Sequence, residues 1–274
     1  LIPQNNMKTK FFNLIILDES GSMSGVTAQT IAGCNETINT ILTAQREHAD
    51  TQVHFLSIYC FQEGGRPSRY LCKNEPVETV KHIGPNDYEP WGSTNLNDAV
   101  GMTLVDLKAR AAKEEEAVGS VTIITDGMEN ASREYKLDQV RALIEELKGK
   151  GWNFNFIGAN IDVETTAHSY AIDNHLSFCQ SEEGTQAMFE REALSRANYY
   201  ERVEEILSCC ADTVQAFSMA SKNFYQEEPV APKPKKKAKD KKDSADDSND
   251  KKAPADDSND KKEGFFGKLL HGDK

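Results

Sequence analysis

The sequence predicts an α/β fold, a doubly wound and mainly parallel sheet, followed by a disordered C-terminal tail. Its strands read as continuous apolar runs, such as "FFNLIIL" at 11–17, a pattern typical of strands buried on both faces. These runs alternate with amphipathic stretches of about ten to twenty residues, which favours helical crossovers between parallel strands. From Glu227 onward the chain is mostly Lys, Asp, Pro, Ala and Ser, a composition that cannot form a core.

The elements follow in chain order. We predict strands at 11–17, 51–61, 120–127, 152–160 and 175–180, and helices at 27–49, 96–113 and 136–151. Residues 69–73 and 77–83 predict a hairpin or an edge strand, and a short helix is expected after residue 160. A long amphipathic helical stretch then runs from residue 184 to about 223.

Composition shifts divide the chain into four parts. Residues 1–8 are an N-terminal extension in which Met7 is a candidate start, and 9–225 form the folded body. Residues 226–263 are a charged linker that carries "ADDSNDKK" twice, and 264–274 are an apolar C-terminal motif, "GFFGKLLHGDK". Because its Phe and Leu side chains would share one face of a helix, this motif is a candidate docking peptide; a frayed end or a contact with the body is the alternative.

Charge and cysteine usage exclude several classes of protein. Residues 1–226 hold 19 basic and 32 acidic residues, so nucleic acid is not expected as a partner. The sequence has no apolar run as long as a membrane helix needs and no recognisable signal peptide. The six cysteines have no regular spacing, which favours free thiols over disulfides or zinc and therefore a cytoplasmic location.

Five oxygen-bearing side chains come from three loops at predicted strand ends. Asp18, Ser20 and Ser22 alternate after the first strand, with Gly21 expected to let the loop bend, Thr94 precedes a helix, and Asp126 closes the third strand. Ligands bind at this edge of doubly wound sheets. Hydroxyls and carboxylates without His or Cys suit Mg²⁺ or Mn²⁺. The set carries only two formal negative charges, so a divalent cation there would be electrically balanced but would keep open or water-filled coordination positions. One of these positions could accept a carboxylate of a partner.

These motifs resemble the metal-ion-dependent adhesion site of von Willebrand factor A (VWA) domains: "DESGS" at 18–22, the "GSTNL" helix start and "TDG" at 125–127. The segments 86–104 and 155–172 are similar to small soluble bacterial members of the family. The resemblance implies that Ser20, Ser22 and Thr94 bind the metal through hydroxyls, and Asp18 and Asp126 directly or through water. It also implies a protein partner that offers a carboxylate, in cytoplasmic assemblies with ATPases or in phage- and defence-linked systems. Glu19 departs from the family pattern, where glycine is frequent, and its side chain is expected to point away.

Other interpretations of the same residues were weighed. Asp18 and the serines could cap the following helix. "GSMSG" at 21–25 matches a nucleophile elbow with Ser22 as nucleophile, but no oxyanion motif accompanies it and His168 falls within a predicted helix. A phosphatase of the haloacid dehalogenase type would need a second Asp where Ser20 stands. Trp91 is interpreted as a packing residue, with a role in recognition as the alternative. Asn160 and Asp162 are expected to cap the next helix, with a role in lining the site as the alternative.

Overall fold

The computed structural model describes residues 8–210 and 212–225. Six strands form one sheet in the order β3-β2-β1-β4-β5-β6. Every pairing is parallel except that of β2 with the edge strand β3. The strands are β1 (Thr9–Asp18), β2 (Gln52–Phe61), β3 (Arg69–Pro76), β4 (Ala117–Thr125), β5 (Asn153–Gly158) and β6 (Asn174–Ser177). This is the predicted doubly wound α/β fold.

Helices cover both faces of the sheet. They are α1 (Thr27–Glu47), α2 (Leu96–Ala111), α3 (Leu137–Lys148), α4 (Val163–Ser169), α5 (Glu182–Cys209) and α6 (Thr213–Ser221). Side chains of β1 alternate between the faces: the Phe11 ring contacts Tyr199 and Tyr200 of α5, whereas the Phe12 ring lies beneath Arg110 of α2. No helix among the described residues is long and apolar enough to cross a membrane.

The structure corrects several sequence-based boundaries. Residues 77–83 do not form a strand, because a short 3₁₀ helix at Val77–Thr79 ends the edge strand. The predicted helical stretch at 184–223 is two helices, since the Asp212 side chain accepts the Gln215 N–H (3.0 Å) and caps a new helix. Residues 1–7 and 226–274, including the predicted linker and docking motif, lie outside the described residues.

All six cysteines are free, as the sequence predicted. Three of them, Cys34, Cys60 and Cys72, are buried in the core, and burial raises the pKa of Cys34 and Cys72 to about 12. Buried thiols of this kind behave as small apolar side chains.

A buried arginine ties α5 to the two central strands. Arg196 is fully buried, and its guanidinium donates to Glu192 (2.5 Å), to Thr122 of β4 (2.8 Å) and to Asn13 of β1 (3.3 Å). The Tyr200 hydroxyl completes the cluster by donating to Asn13 at 2.6 Å. Because both charges are paired and further hydrogen-bonded, the cluster fixes the position of α5 on the sheet at little net cost.

Arg196→Met is expected to lower the free energy of unfolding by about 3–5 kcal/mol, because it leaves the Glu192 carboxylate buried without its partner. The double variant Arg196→Met, Glu192→Leu should recover a large part of the loss. Denaturant unfolding followed by circular dichroism measures both.

Lys150→Met is the control, since it removes an exposed ion pair with Glu146 and should change stability by about 0.5 kcal/mol or less. A loss in Arg196→Met no larger than in this control would contradict the assigned role.

Candidate metal centre

The five predicted side chains lie where the strand order reverses. The chain leaves β1 toward β2 on one side and reaches β4 on the other, so the carboxyl ends of β1 and β4 bound a crevice. Asp18 is the last residue of β1, Asp126 directly follows β4, and Thr94 lies two residues before α2. Parallel pairing of β1 with β4 therefore brings the two aspartates together.

Asp18 anchors the first loop. Its side chain is fully buried, with Oδ1 accepting the Ser20 N–H (2.7 Å) and Oδ2 accepting the Thr125 hydroxyl (2.5 Å). The Tyr88 hydroxyl donates to the main-chain oxygen of Asp18 at 2.7 Å. These contacts hold the carboxylate in one orientation at the floor of the crevice.

The serines link Asp18 to Asp126. The hydroxyls of Ser20 and Ser22 are 3.1 Å apart, and the Ser22 hydroxyl donates to Asp126 at 2.6 Å. Ser20 makes no side-chain capping bond to the turn that follows, so the capping interpretation is wrong.

Gly127 locates Thr94 in the same cluster. A Cβ on Gly127 would lie 2.9 Å from the Thr94 hydroxyl oxygen and 3.8 Å from Asp18 Oδ2. Thr94 thus lies near Asp18 at the same edge of the sheet, and Gly127 leaves room for its hydroxyl.

The cluster concentrates negative charge without a basic partner. Burial raises the pKa of Asp18 to about 6, and the charge of Asp126 adds to this effect. Burial likewise raises the pKa of Asp126, against the opposing hydrogen bonds from Ser22 and Gln180. Among the described residues, no Lys, Arg or His forms an ion pair with either aspartate. Buried carboxylates of this kind call for a cation.

The donor set fits a hard divalent cation. It consists of two carboxylates and three hydroxyls, and Mg²⁺ and Mn²⁺ prefer oxygen ligands. Within residues 8–210 and 212–225 there is no group of three or more His, Cys, Asp or Glu suited to a metal, so hydroxyls would have to supply the remaining ligands here.

Glu19 points away from the cluster, as predicted. It is fully buried and accepts both arms of the Arg69 guanidinium at 2.7 and 3.1 Å. It also accepts the Glu89 N–H at 2.6 Å. A bidentate charged pair of this type is strong and directional, so the Glu19 carboxylate is unavailable to a metal.

The same region fixes the loop at 84–93 that leads to Thr94. The Trp91 N–H donates to the Glu19 carbonyl (2.9 Å), and the Gly21 N–H donates to the Gly92 carbonyl (3.1 Å). Gly92 has φ +71°, and a Cβ there would lie 2.2 Å from the Glu63 carbonyl oxygen. Gly21 has no positive φ, and a Cβ there would meet Gly92 at 3.4 Å or more, so the structure shows no requirement for glycine in the bend after Asp18. In the loop at 84–93, Gly92 is the glycine that the backbone conformation requires.

Residues after β4 hold the start of α2, a role that the sequence reasoning missed. Asn130 accepts the Thr94 N–H through its side-chain oxygen (2.9 Å), and Glu129 accepts the Asn97 N–H (2.7 Å). An acceptor at a helix N-terminus satisfies free N–H groups. In the sequence, these two acceptors stand directly after "TDG", in "MEN" at 128–130.

Gln180 is a further missed residue. Its side-chain N–H₂ donates to the Ser22 carbonyl (2.7 Å) and to the Asp126 carboxylate, and its Oε1 accepts from Asn160. Asp162 caps α4 as expected, accepting the Thr165 N–H at 3.1 Å, but Asn160 does not and instead supports Gln180. No local motif indicated this contact across 158 positions.

Two large apolar side chains lie exposed beside the cluster. Trp91 is 66% exposed and Met128 is 72% exposed. The interpretation of Trp91 as a packing residue is therefore wrong.

Arg69→Met is expected to speed amide hydrogen exchange in residues 87–93 about tenfold or more, because a hydrogen bond to a charged group is worth about 1.5–3 kcal/mol. Hydrogen–deuterium exchange read by mass spectrometry measures this. Lys73→Met is the control, since it removes an exposed pair with Asp106 from the same strand. Equal exchange in the two variants would contradict an anchoring role for Glu19 and Arg69.

Comparison with known proteins supports the fold. No protein-family model and no curated protein matches the sequence. Among solved structures, the open conformation of the pilus adhesin SpaC from Lactobacillus rhamnosus GG has a TM-score of 0.54 at 11% identity, covering 72% of this chain and 31% of the adhesin. The chain thus spans about a third of that protein.

Two further structures are similar at lower TM-scores. The manganese-loaded TRAP protein of Plasmodium vivax gives 0.44 at 17% identity, covering 67% of this chain and 72% of TRAP. The SpRpn10 VWA domain gives 0.45 at 11% identity, covering 68% of this chain and 94% of that domain. With its strand order and the adhesin likeness, the described part of the chain has the α/β fold of a von Willebrand factor A domain.

Proposed function

We propose that this protein is an interaction module in which Mg²⁺ or Mn²⁺ at the crevice holds a carboxylate of a partner protein. The observation that carries the proposal is the meeting of Asp18 and Asp126, buried and without a basic partner in the described residues, with three hydroxyls.

Charge balance explains how the site would select its ligand. Two carboxylates neutralise a divalent cation, and the hydroxyls of Ser20, Ser22 and Thr94 add no charge. The ion would then be electrically balanced, but five side chains would not fill its preferred six positions, so one position would be open to a carboxylate oxygen of a partner. Gln180, supported by Asn160, donates to Oδ2 of the Asp126 carboxylate, while the Ser22 hydroxyl donates to Oδ1.

The surroundings of the crevice favour a protein as the ligand. Trp91 and Met128 expose apolar surface next to the charged cluster, and apolar surface beside polar groups is typical of protein contact sites. Glu19 and Arg69 hold the loop that carries Trp91, which lowers the cost of ordering that loop on binding.

Binding is favoured over catalysis by the partners of Ser22. Its hydroxyl bonds to Ser20 and Asp126, and among the described residues no histidine accepts its proton, as a nucleophilic serine would need. A phosphatase would need a second carboxylate at position 20, where a serine stands.

The cellular setting is a prediction from chemistry and resemblance. Six free cysteines, of which Cys179 and Cys209 are exposed, favour a reducing cytoplasm. There we propose a role within an assembly that includes an ATPase, as the family resemblance implies.

Asp18→Asn is expected to weaken Mn²⁺ binding at least about a thousandfold, because even one unit of the ion's charge, about 4 Å from the lost carboxylate charge, is worth roughly 4 kcal/mol at an effective dielectric constant near 20. Isothermal titration calorimetry measures the affinity, and the unaltered chain should show one site.

Asp162→Asn is the matched control. It removes a carboxylate from a helix start of the same domain but should leave the affinity unchanged. Equal affinity in Asp18→Asn and in the unaltered chain would contradict metal binding at the Asp18 site.

Partner capture should depend on the metal. The immobilised protein is expected to retain a specific partner from its native cell extract with Mg²⁺ and to lose at least nine-tenths of it with EDTA. Thr94→Val should lose it likewise, because it removes a ligand hydroxyl while preserving shape. Thr165→Val, on exposed α4 surface, is the control. Quantitative mass spectrometry reads the outcome; equal recovery with Mg²⁺ and EDTA would contradict the proposal.

A further inference from the structure

Both oxygens of the Asp126 carboxylate are engaged by donors of the chain itself. The Ser22 hydroxyl donates to Oδ1 at 2.6 Å, and the side-chain N–H₂ of Gln180 donates to Oδ2. The same nitrogen of Gln180 also donates to the Ser22 carbonyl at 2.7 Å. The Gln180 side chain therefore joins two of the loops that form the candidate metal centre.

Asp18 is held in the same way, with one donor on each oxygen. The Ser20 N–H donates to Oδ1 at 2.7 Å, and the Thr125 hydroxyl donates to Oδ2 at 2.5 Å. These donors stand at the ends of β1 and β4, whereas Gln180 lies in the loop between β6 and α5. Gln180 is therefore a donor that can be changed without altering the pairing of β1 with β4.

The orientation of the Gln180 amide is fixed by its neighbours. The Asn160 side-chain N–H₂ donates to Gln180 Oε1, and the other two neighbours, a carboxylate and a carbonyl, can only accept hydrogen bonds. The amide must therefore present its nitrogen to Asp126. Asn160 has φ +57°, a left-handed conformation that asparagine adopts more readily than most residues. This position thus suits the residue that supports Gln180.

The engagement of the second oxygen of a carboxylate affects which ion it can bind. Mg²⁺ demands near-ideal octahedral geometry at about 2.0–2.1 Å, whereas Ca²⁺ takes about 6–8 oxygens at about 2.3–2.6 Å and accepts both oxygens of one carboxylate. One oxygen from each of five side chains would leave an octahedral ion about one ligand short and Ca²⁺ up to about three short. Ca²⁺ could recover ligands by binding a carboxylate through both of its oxygens.

We infer that Gln180 is a specificity-determining residue that makes the centre prefer Mg²⁺ or Mn²⁺ to Ca²⁺; this inference rests on the proposed metal site. The Gln180 N–H₂ competes with a cation for Oδ2 of Asp126, so Ca²⁺ would bind through both oxygens only by weakening this hydrogen bond. A smaller ion that needs a single oxygen of Asp126 leaves the bond intact. Gln180 is thus a positioning residue, since it acts on the ion through Asp126.

Gln180→Met tests this inference, because it keeps the length of the side chain and removes both N–H donors. Calorimetric titration of the full chain with Mn²⁺, alone and in competition with Ca²⁺, gives the ratio of the two affinities. In Gln180→Met the affinity for Ca²⁺ should rise about tenfold relative to that for Mn²⁺, because a hydrogen bond to a charged group is worth at least about this factor. Gln186→Met is the matched control, since it removes an exposed amide of α5 that pairs with Glu190, and it should leave the ratio unchanged.

Asn160→Gly is a second variant that acts through Gln180. Glycine keeps the left-handed backbone conformation and removes the donor to Gln180 Oε1. The ratio of affinities should therefore move in the same direction as in Gln180→Met, by a smaller factor.

The ratio separates this inference from a general loss of structure, which would weaken both ions together. An unchanged ratio in Gln180→Met, with Mn²⁺ still bound by the unaltered chain, would overturn the role of Gln180 and leave the metal centre standing. Failure of Mn²⁺ to bind the unaltered chain would overturn the metal proposal and this inference with it.

Discussion

The parallel pairing of β1 with β4 is the constraint on which the site depends. Leu17 and Ile124 are partners in register, so the next residues of each strand emerge side by side. Asp18 then accepts the Thr125 hydroxyl at 2.5 Å, and Asp126 follows one position later. At the level of Asn13 and Thr122, the Arg196 cluster spans the same two strands from α5. A slip in this pairing would separate the carboxylates of Asp18 and Asp126, and it would at the same time break the Arg196 cluster.

A second buried ion pair shapes the mouth of the crevice. Glu19 faces away from the candidate metal centre, and its carboxylate pairs with Arg69 and accepts the Glu89 N–H. One residue of the metal-site motif thereby positions the loop that carries Trp91 and leads to Thr94. The oxygens are held in place by the protein itself, which is how an interaction site keeps the ordering cost of binding low.

The fold and the five oxygens could be predicted because their signals are local. A buried strand shows as an apolar run, and a strand-end motif shows as a few adjacent letters. The contacts that the sequence did not reveal join distant positions: Glu19 with Arg69 across 50 residues and Gln180 with Ser22 across 158. Trp91 was misread because an aromatic residue in a loop looks the same in sequence whether it packs inward or faces solvent.

Anomalous diffraction from crystals grown with Mn²⁺ tests the central claim most directly. The account predicts one strong manganese peak among the oxygens of Asp18, Ser20, Ser22, Thr94 and Asp126, with M–O distances of about 2.0–2.3 Å as expected for a small hard cation. In crystals of Asp18→Asn protein this peak should be absent. A peak at another place on the chain, or no peak at a Mn²⁺ concentration that saturates binding in solution, would contradict the account.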